Sequence, residues 1–396
     1  MRVLGVGSLY PPHHFGGYEV IWQAATQTLR DRGHEVRVLT TDHHRPGVTA
    51  SAAEDADVHR ELRWYWHDHE FPAMGARERF ALERHNARVM ASHLEQFRPD
   101  AVVWWAMGGM SLSLLEQVRR AGIPALGIVG DAWMDYAFTF DAWQTAWRNR
   151  PRLAGLADRL TGIPTRVEPG PMARWLFISQ SILDSSLELG GWTLPDTGLA
   201  HPGVDPERFA FQPAGAWSWK LLYAGRIDER KGIASAIEAL ALLPPEATLT
   251  IDGGGDEDHA AQLQRQAAEL GLLDRVVFTR SPREDLAAVY AACDALIFPV
   301  TWDEPWGLVP LEAMSVGRPV VATGTGGSGE YLRDRENSLL FTPGDASALA
   351  SVVRSLAEDE ALRAGLVAGG RETAAHFTED AFHDVVEGEL EALPRR

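Results

Sequence analysis

The chain has 396 residues, 45% hydrophobic and 23% charged, with a formal net charge of −18 at pH 7; that length and composition lead us to expect a soluble globular protein of two domains. So acidic a balance excludes nucleic acid as a natural partner, because phosphate contacts need clustered Lys and Arg. One cysteine, Cys293, leaves no intrachain disulfide, no apolar run reaches the ~18 residues of a membrane span, and no signal peptide precedes MRVLGVG, so a cytoplasmic protein without membrane association is expected.

The first elements are RVLGVG, a buried strand, and EVIWQAATQTLRDRG, a helix, joined by the turn YPPHHFGGYEV. That turn could be a metal site, a dinucleotide loop or a tight corner. His13 and His14 are adjacent and point apart, which makes a poor metal pair. GVGSLY lacks the third glycine of a dinucleotide fingerprint after Gly5 and Gly7. EVRVLT, DAVVWWA, IPALGIVG and RWLFIS follow as short apolar strands. ARERFALERHNARVMASHLEQF reads as an amphipathic helix whose Arg77, Arg79, Arg84 and Arg88 form a solvated face with Glu78 and Glu83. ELRWYWHDHEFP (61–72) and GDAWMDYAFTFDAWQTAW (130–147) are rich in Trp and Tyr, part core and part stacking surface for sugar rings or flat ligands.

The alternation pauses over 199–218, LAHPGVDPERFAFQPAGAWS, where the domain boundary is placed near 205. KLLYAGR, ATLTIDG, DRVVFTR, DALIFPV and RPVVAT form a second strand series, separated by helices such as GIASAIEALALL, HAAQLQRQAAELG and REDLAAVYAAC. Continuous apolar strands alternating with helices mean doubly wound parallel sheets. The expected class is therefore α/β, two Rossmann-like domains facing across a cleft, with ligands at the carboxyl ends of the strands. Cys293, in VYAACDALIFP, reads as a small core residue.

Three segments of the second series carry chemistry. In YAGRIDERKG, Arg226 and Lys231 follow a strand just before a helix, an arrangement suited to an anion; the alternative is a solvated loop with Asp228, Glu229 and Arg230. Lys231 is one of only two lysines, with Lys220. In FPVTWDEPWGLVPLEAMSVGRPVVAT, Glu304 stands before Pro305 in a loop and Glu312 a turn into the helix LVPLEAMSVG. The backbone at Trp306, Gly307, Leu308 and Val309 would present free N–H groups from that helix start. The third segment, IDGGGDEDH, reads as a glycine turn followed by helix-starting carboxylates Asp256, Glu257 and Asp258 rather than a metal site.

EPWGLVPLEAMSVGRPVVAT is similar to the E-P-F-G-x-x-x-x-E-A-x-x-x-G-x-P-V-V stretch of the family 4 retaining glycosyltransferases, with Trp306 at the Phe position. AGRIDERKG matches that family's G-R-x-x-x-x-K-G, YPPHHFGGYEV resembles its N-terminal glycine loop, and HPGVDPERF its N-G-V-D-x-x-x-F segment. The resemblance covers nearly the whole chain and implies the GT-B architecture: an acceptor-side domain 1–204, a nucleotide-sugar domain 205–376, and a last helix, 377–396, crossing back to the first. It implies that Gly16 and Gly17 close over a donor diphosphate and that Arg226 and Lys231 stabilise the leaving oxygen without a metal. Glu304 would face the sugar and Glu312 the ribose, with the amides of Trp306 to Val309 on sugar or phosphate oxygens and the base against Arg280 and Ser281. It further implies a retaining transfer from a nucleotide sugar, a UDP-sugar first and a GDP-sugar next, to a soluble small-molecule or glycan acceptor. Where the family commonly has His before an Asp after an N-domain strand, this chain has Gly130 before Asp131. Either the donor differs at that point or Asp131 takes on acceptor activation. The alternative is a GT-B nucleotide-sugar-binding protein without transferase activity, or a GT-B hydrolase or epimerase.

Overall fold

The computed structural model describes residues 1–45, 47–48, 57–66 and 71–394. Of the aromatic stretch 61–72, residues 67–70 lie outside the described residues, as do the last two of 377–396. Two compact units are present, Met1–Ala200 with His383–Arg396, and His201–Phe382. The divisions fall a few residues from the expected 204 and 377. Val204 N donates to Phe377 O at 3.0 Å and Glu379 N to Val204 O at 3.1 Å, which keeps both segments in the second unit.

In the first unit the described residues form seven parallel strands: β1 (Arg2–Val6), β2 (Glu35–Thr41), β3 (Val58–Leu62), β4 (Ala101–Trp104), β5 (Ala125–Val129), β6 (Arg174–Phe177) and β7 (Thr197–Leu199), in the order β3-β2-β1-β4-β5-β6-β7. The second unit has six: β8 (Lys220–Ala224), β9 (Thr248–Asp252), β10 (Val276–Thr279), β11 (Ala295–Phe298), β12 (Val320–Ala322) and β13 (Leu339–Leu340), also parallel, in the order β10-β9-β8-β11-β12-β13. Helices cover both faces of such sheets, so the central strands read as unbroken apolar runs: every residue of β4, β5 and β11 is buried. In each sheet the winding reverses once, between β1 and β4 and between β8 and β11. Ligands of open α/β sheets bind at that reversal, beyond the carboxyl ends of the strands.

Large aromatics fill the first unit's core. Trp22, from the helix Gly17–Asp31, lies over Gly5 and Gly7 of the β1 segment, and Trp104, Trp133 and Trp175 are fully buried with it. In the second unit Cys293 is buried and its thiol is pushed up to about 12 by burial, an inert core residue. The helix Ala76–Phe97 exposes Arg77, Arg84 and Arg88 but half-buries Arg79 and fully buries Glu83, Asn86 and His93 on its inner face. Glu83, expected on the solvated face, instead accepts from Ser113 Oγ at 2.7 Å. Burial, reinforced by the nearby Asp141 carboxylate, holds the Glu83 carboxyl well above the usual carboxylate range.

The folded state therefore binds the Glu83 proton more tightly than the unfolded chain does. The stability this group contributes is present at and below the ordinary carboxylate range and is lost as pH rises above it. We expect the urea midpoint to fall between about pH 5 and about pH 8 in the wild type, and Glu83→Gln, which carries a neutral amide throughout, to flatten that fall. Identical pH slopes for the two proteins would refute this role for Glu83.

Candidate functional site

The loops after β8 and β11, on either side of the second unit's winding reversal, bring Lys231 and Glu304 together. Lys231 Nζ lies 2.5 Å from Glu304 Oε2, with the two side chains 15% and 12% exposed. Trp302 Nε1 donates to the same carboxylate oxygen at 3.1 Å, and the Trp302 ring lies under the Arg230 guanidinium at 4.4 Å and under Lys231 Nζ at 5.5 Å. Gly232, which follows Lys231, has φ +66°, and a Cβ there would stand 2.0 Å from Pro299 O. Only glycine lets the β8 loop run this close to the strand end that launches Glu304. Arg230 O in turn accepts from Thr301 N at 2.9 Å.

Arg226 sits in the same loop. Its Nη2 lies 3.0 Å from Asp228 Oδ2, and Asp228 also receives Arg230 Nη2 at 2.8 Å. The Arg230 hydrogen bonds hold the Asp228 carboxyl well below the usual range. Tyr223 Oη donates to Arg226 O at 2.6 Å, while Ile227 N donates to Gly254 O at 3.0 Å. The glycine turn of IDGGGDEDH thus braces the Arg226 loop, and Asp256 caps the next helix by accepting from His259 N at 3.0 Å.

Glu312 lies deeper, on the helix Leu308–Val316, where Tyr290 Oη donates to its Oε2 at 2.6 Å. Burial raises its carboxyl above the usual range, with the Tyr290 bond working in the opposite direction. The helix starts at Gly307, so the N–H groups of Leu308 and Val309 belong to its open first turn. Trp306 differs from its neighbours. Its indole is buried, stacks on His201 with ring centroids 4.5 Å apart, and donates Nε1 to Pro202 O at 2.8 Å. That side chain is committed to packing, so only its backbone could serve a ligand. At the β10 turn, Ser281 N and Oγ both donate to Asp252, at 3.1 and 2.5 Å. The Ser281 amide and hydroxyl are therefore engaged with Asp252. Arg280 lies beside Gly254, where a Cβ would be 3.0 Å from its guanidinium carbon.

In the first unit, Gly16 N donates to Glu19 Oε2 at 3.1 Å, a helix cap that occupies this amide, while Gly17 opens on free space. Asp131 follows β5 and accepts from Trp133 N at 3.3 Å. Burial, then the Glu19 carboxylate, push its carboxyl up to about 7. Gly130 is explained by Tyr18: a Cβ there would lie 2.3, 2.4 and 2.8 Å from three carbons of the Tyr18 ring. That ring is held by its hydroxyl, which donates to Ile128 O, and by Trp105 at a centroid distance of 5.9 Å. Further along, a cavity of about 260 Å³ is lined by Tyr65, Phe71, Met74, Arg79 and Phe140 among others.

Sequence reasoning missed Trp302, Asp228, Tyr290, Asp252 and Tyr18. TWDEPW and FGGYEV held a signal for two of them, an aromatic beside an acid or a glycine pair after a strand. It also missed TGTGGSGE, a glycine-rich run after β12. There Thr325 Oγ1 donates to Trp302 O at 2.6 Å and Gly327 N to Glu304 O at 2.7 Å, so this run holds the Glu304 loop.

The sequence model of the family Glycosyl transferases group 1 matches residues 207–373, and that of the Glycosyl transferase 4-like domain matches residues 16–169, together more than half of the chain. The chain belongs to the family 4 glycosyltransferases. A D-inositol 3-phosphate glycosyltransferase of Stackebrandtia nassauensis is 35% identical over 203 residues, 46% of this chain and 45% of that protein. A glycogen synthase of Mycobacterium tuberculosis is 33% identical over 195 residues, 46% of this chain and 45% of its own length. The chain thus matches about half the length of these curated relatives. The crystal structure of Anabaena HepE in complex with UDP-glucose superposes with a TM-score of 0.73 at 22% identity, covering 99% of this chain and 100% of that one. The fold is GT-B.

The Gly130–Tyr18 contact gives a direct test. Gly130→Ala should destabilise the protein by about 1–3 kcal/mol through overpacking, and the cost should shrink when Tyr18 is also cut to Ala. Urea unfolding of the four proteins in a double-variant cycle measures it; zero coupling would mean the ring yields freely.

Proposed function

We propose that the protein transfers a sugar from a nucleoside-diphosphate sugar, a UDP-sugar first and a GDP-sugar next, to a soluble small-molecule or glycan acceptor, with retention at the anomeric carbon and no metal at the diphosphate. The observation that carries this reading is the Lys231–Glu304 pair at the β8/β11 reversal, with Arg226 in the same loop. As the sugar–phosphate bond breaks, negative charge grows on the leaving oxygen. Preorganised cations there lower the barrier without reorganising at the moment of reaction. Lys231 is already desolvated and fixed by Glu304, and Arg226 is steered by Asp228. Glu304 then meets the sugar hydroxyls. Glu312, oriented by Tyr290, accepts from the ribose. The open helix start at Leu308 and Val309 takes donor oxygens. Asp131, poised near 7, takes the acceptor's proton, and the aromatic cavity near Phe71 and Phe140 suits an acceptor with a flat or sugar-like face. The fold neighbour HepE was crystallised with UDP-glucose, which favours a UDP-sugar among donors. We place the protein in the cytoplasm, a reading supported by its one cysteine, a buried free thiol.

Arg226→Ala and Lys231→Ala should each lower turnover by about 10²- to 10³-fold and weaken nucleoside-diphosphate binding. The assay is run with chelator present throughout. Near wild-type turnover in either variant would break the diphosphate assignment, and loss of wild-type activity to the chelator would break the metal-free one.

The two glutamates should separate kinetically. Contacts at the breaking bond tighten in the transition state and act on kcat, whereas remote ribose contacts bind uniformly and act on KM. Glu304→Gln is expected mainly to lower kcat. Glu312→Gln should mainly raise donor KM and weaken binding of the free nucleoside diphosphate, measured by calorimetric titration. An affinity loss confined to the Glu304 variant would reverse the two roles.

A further inference from the structure

A cluster away from the proposed transfer chemistry has the geometry of a metal site. His59 and Glu61 are two apart on the edge strand β3, where the pairing with β2 slips by one residue at Glu61, and their side chains meet. The helix Ala76–Phe97 lies against that strand, and its His85 and His93, eight residues apart, share a face of the helix. His85 Nε2 is hydrogen-bonded to Glu61 O at 2.8 Å, which fixes strand to helix. His93 is buried and presents Nε2 to the Glu61 carboxylate, while its Nδ1 has no partner.

The distances are those of a hydrogen-bonded cluster and also fit the spacing of a ligand set. His59 Nδ1 lies 3.1 Å from Glu61 Oε1, and His93 Nε2 lies 3.4 Å from Glu61 Oε2. N–H···O hydrogen bonds span about 2.7–3.2 Å, which takes in the His59 contact and falls short of the His93 one. Donors around a tetrahedral zinc ion, each about 2.0–2.2 Å from the metal, stand roughly 3.3 Å apart. All three donor atoms lie within 4.8 Å of one another, and the two imidazole rings meet edge to face with centroids 4.8 Å apart at 75°, so both bring a ring nitrogen to the one carboxylate. Glu61 is 49% exposed, so a fourth position opens to water. The other such group among the described residues, His34, Glu387 and Glu391, is already neutralised: Arg32 lies 2.5 Å from one Glu387 oxygen and His34 2.9 Å from the other.

We propose that His59, Glu61 and His93 bind a zinc-class divalent ion that clips the edge strand β3 to the helix Ala76–Phe97. Imidazole and carboxylate ligands suit such an ion. Binding uses both imidazoles in their neutral form.

The test strips metal from the full chain and titrates Zn²⁺ against a chromophoric chelator, with thermal melting in parallel. The wild type should bind one equivalent at this site and its Tm should rise with zinc concentration. His59→Gln and Glu61→Gln should each lose at least ~10-fold in affinity along with that Tm response, while His34→Gln keeps both. A His67→Gln/His69→Gln variant controls for the histidine pair outside the described residues. His93→Gln removes a buried ligand and could simply unfold the chain, so the deciding variant is His59→Gln, where the side chain is partly exposed. Wild-type zinc affinity in His59→Gln, or zinc binding that disappears only in the His34 or His67/His69 variants, would overturn the proposal.

Discussion

Lys231 and Glu304 are 73 residues apart in the chain and meet because β8 and β11 are neighbours in a sheet whose winding reverses between them. Much of the second unit's loop architecture serves that one ion pair. Both groups are largely removed from water, so each is the other's main compensation. Removing either would strand a buried charge, a loss larger than the modest net worth of the pair itself. Such a pair is poor evidence for stability and better evidence for a site that must hold two opposite charges ready for a third polar group.

The supports around it are mostly backbone. Gly232 passes against Pro299, Gly327 donates to Glu304 O, and the glycine turn after β9 braces the Arg226 loop. Side chains then set direction: Asp228 steers two arginines, Tyr290 orients Glu312, and Asp252 ties down the β10 turn through Ser281. The polar groups are thus positioned by loops, while the apolar strands beneath them carry the cohesion.

That division explains what could be read in the chain. β4, β5 and β11 are buried on both faces, so AVVW, ALGIV and ALIF show as plain apolar runs. β3, β7 and β13 lie at sheet edges, and β7 and β13 have only three and two residues; VHREL, half polar, gives no such signal, and edges commonly carry charge. The candidate residues Lys231, Glu304 and Glu312 were legible because a charged residue at a strand end or amid apolar neighbours is locally odd. Their partners were not. Tyr290 sits in an unremarkable helix, Asp252 looks like part of a glycine turn, and Tyr18 matters only because β5 brings Gly130 beneath it. The commitment of the Trp306 indole to His201 and Pro202 was equally hidden, since it depends on a segment about a hundred residues away.

The last helix, Glu379–Ala392, begins in the second unit and joins the first from His383 onward, so the second unit is in effect an insertion within the first. Arg32 reaches Glu387 across 355 positions of sequence, and Arg174 reaches Glu389. During synthesis the first sheet emerges early, yet its surface at Arg32, His34 and Arg174 waits for the whole of the second unit to be translated, roughly 10–40 s at ordinary elongation rates. The second unit, continuous in sequence, can complete itself without that delay. The domain made first is therefore the one finished last, and for that interval it carries an uncovered patch of its own fold.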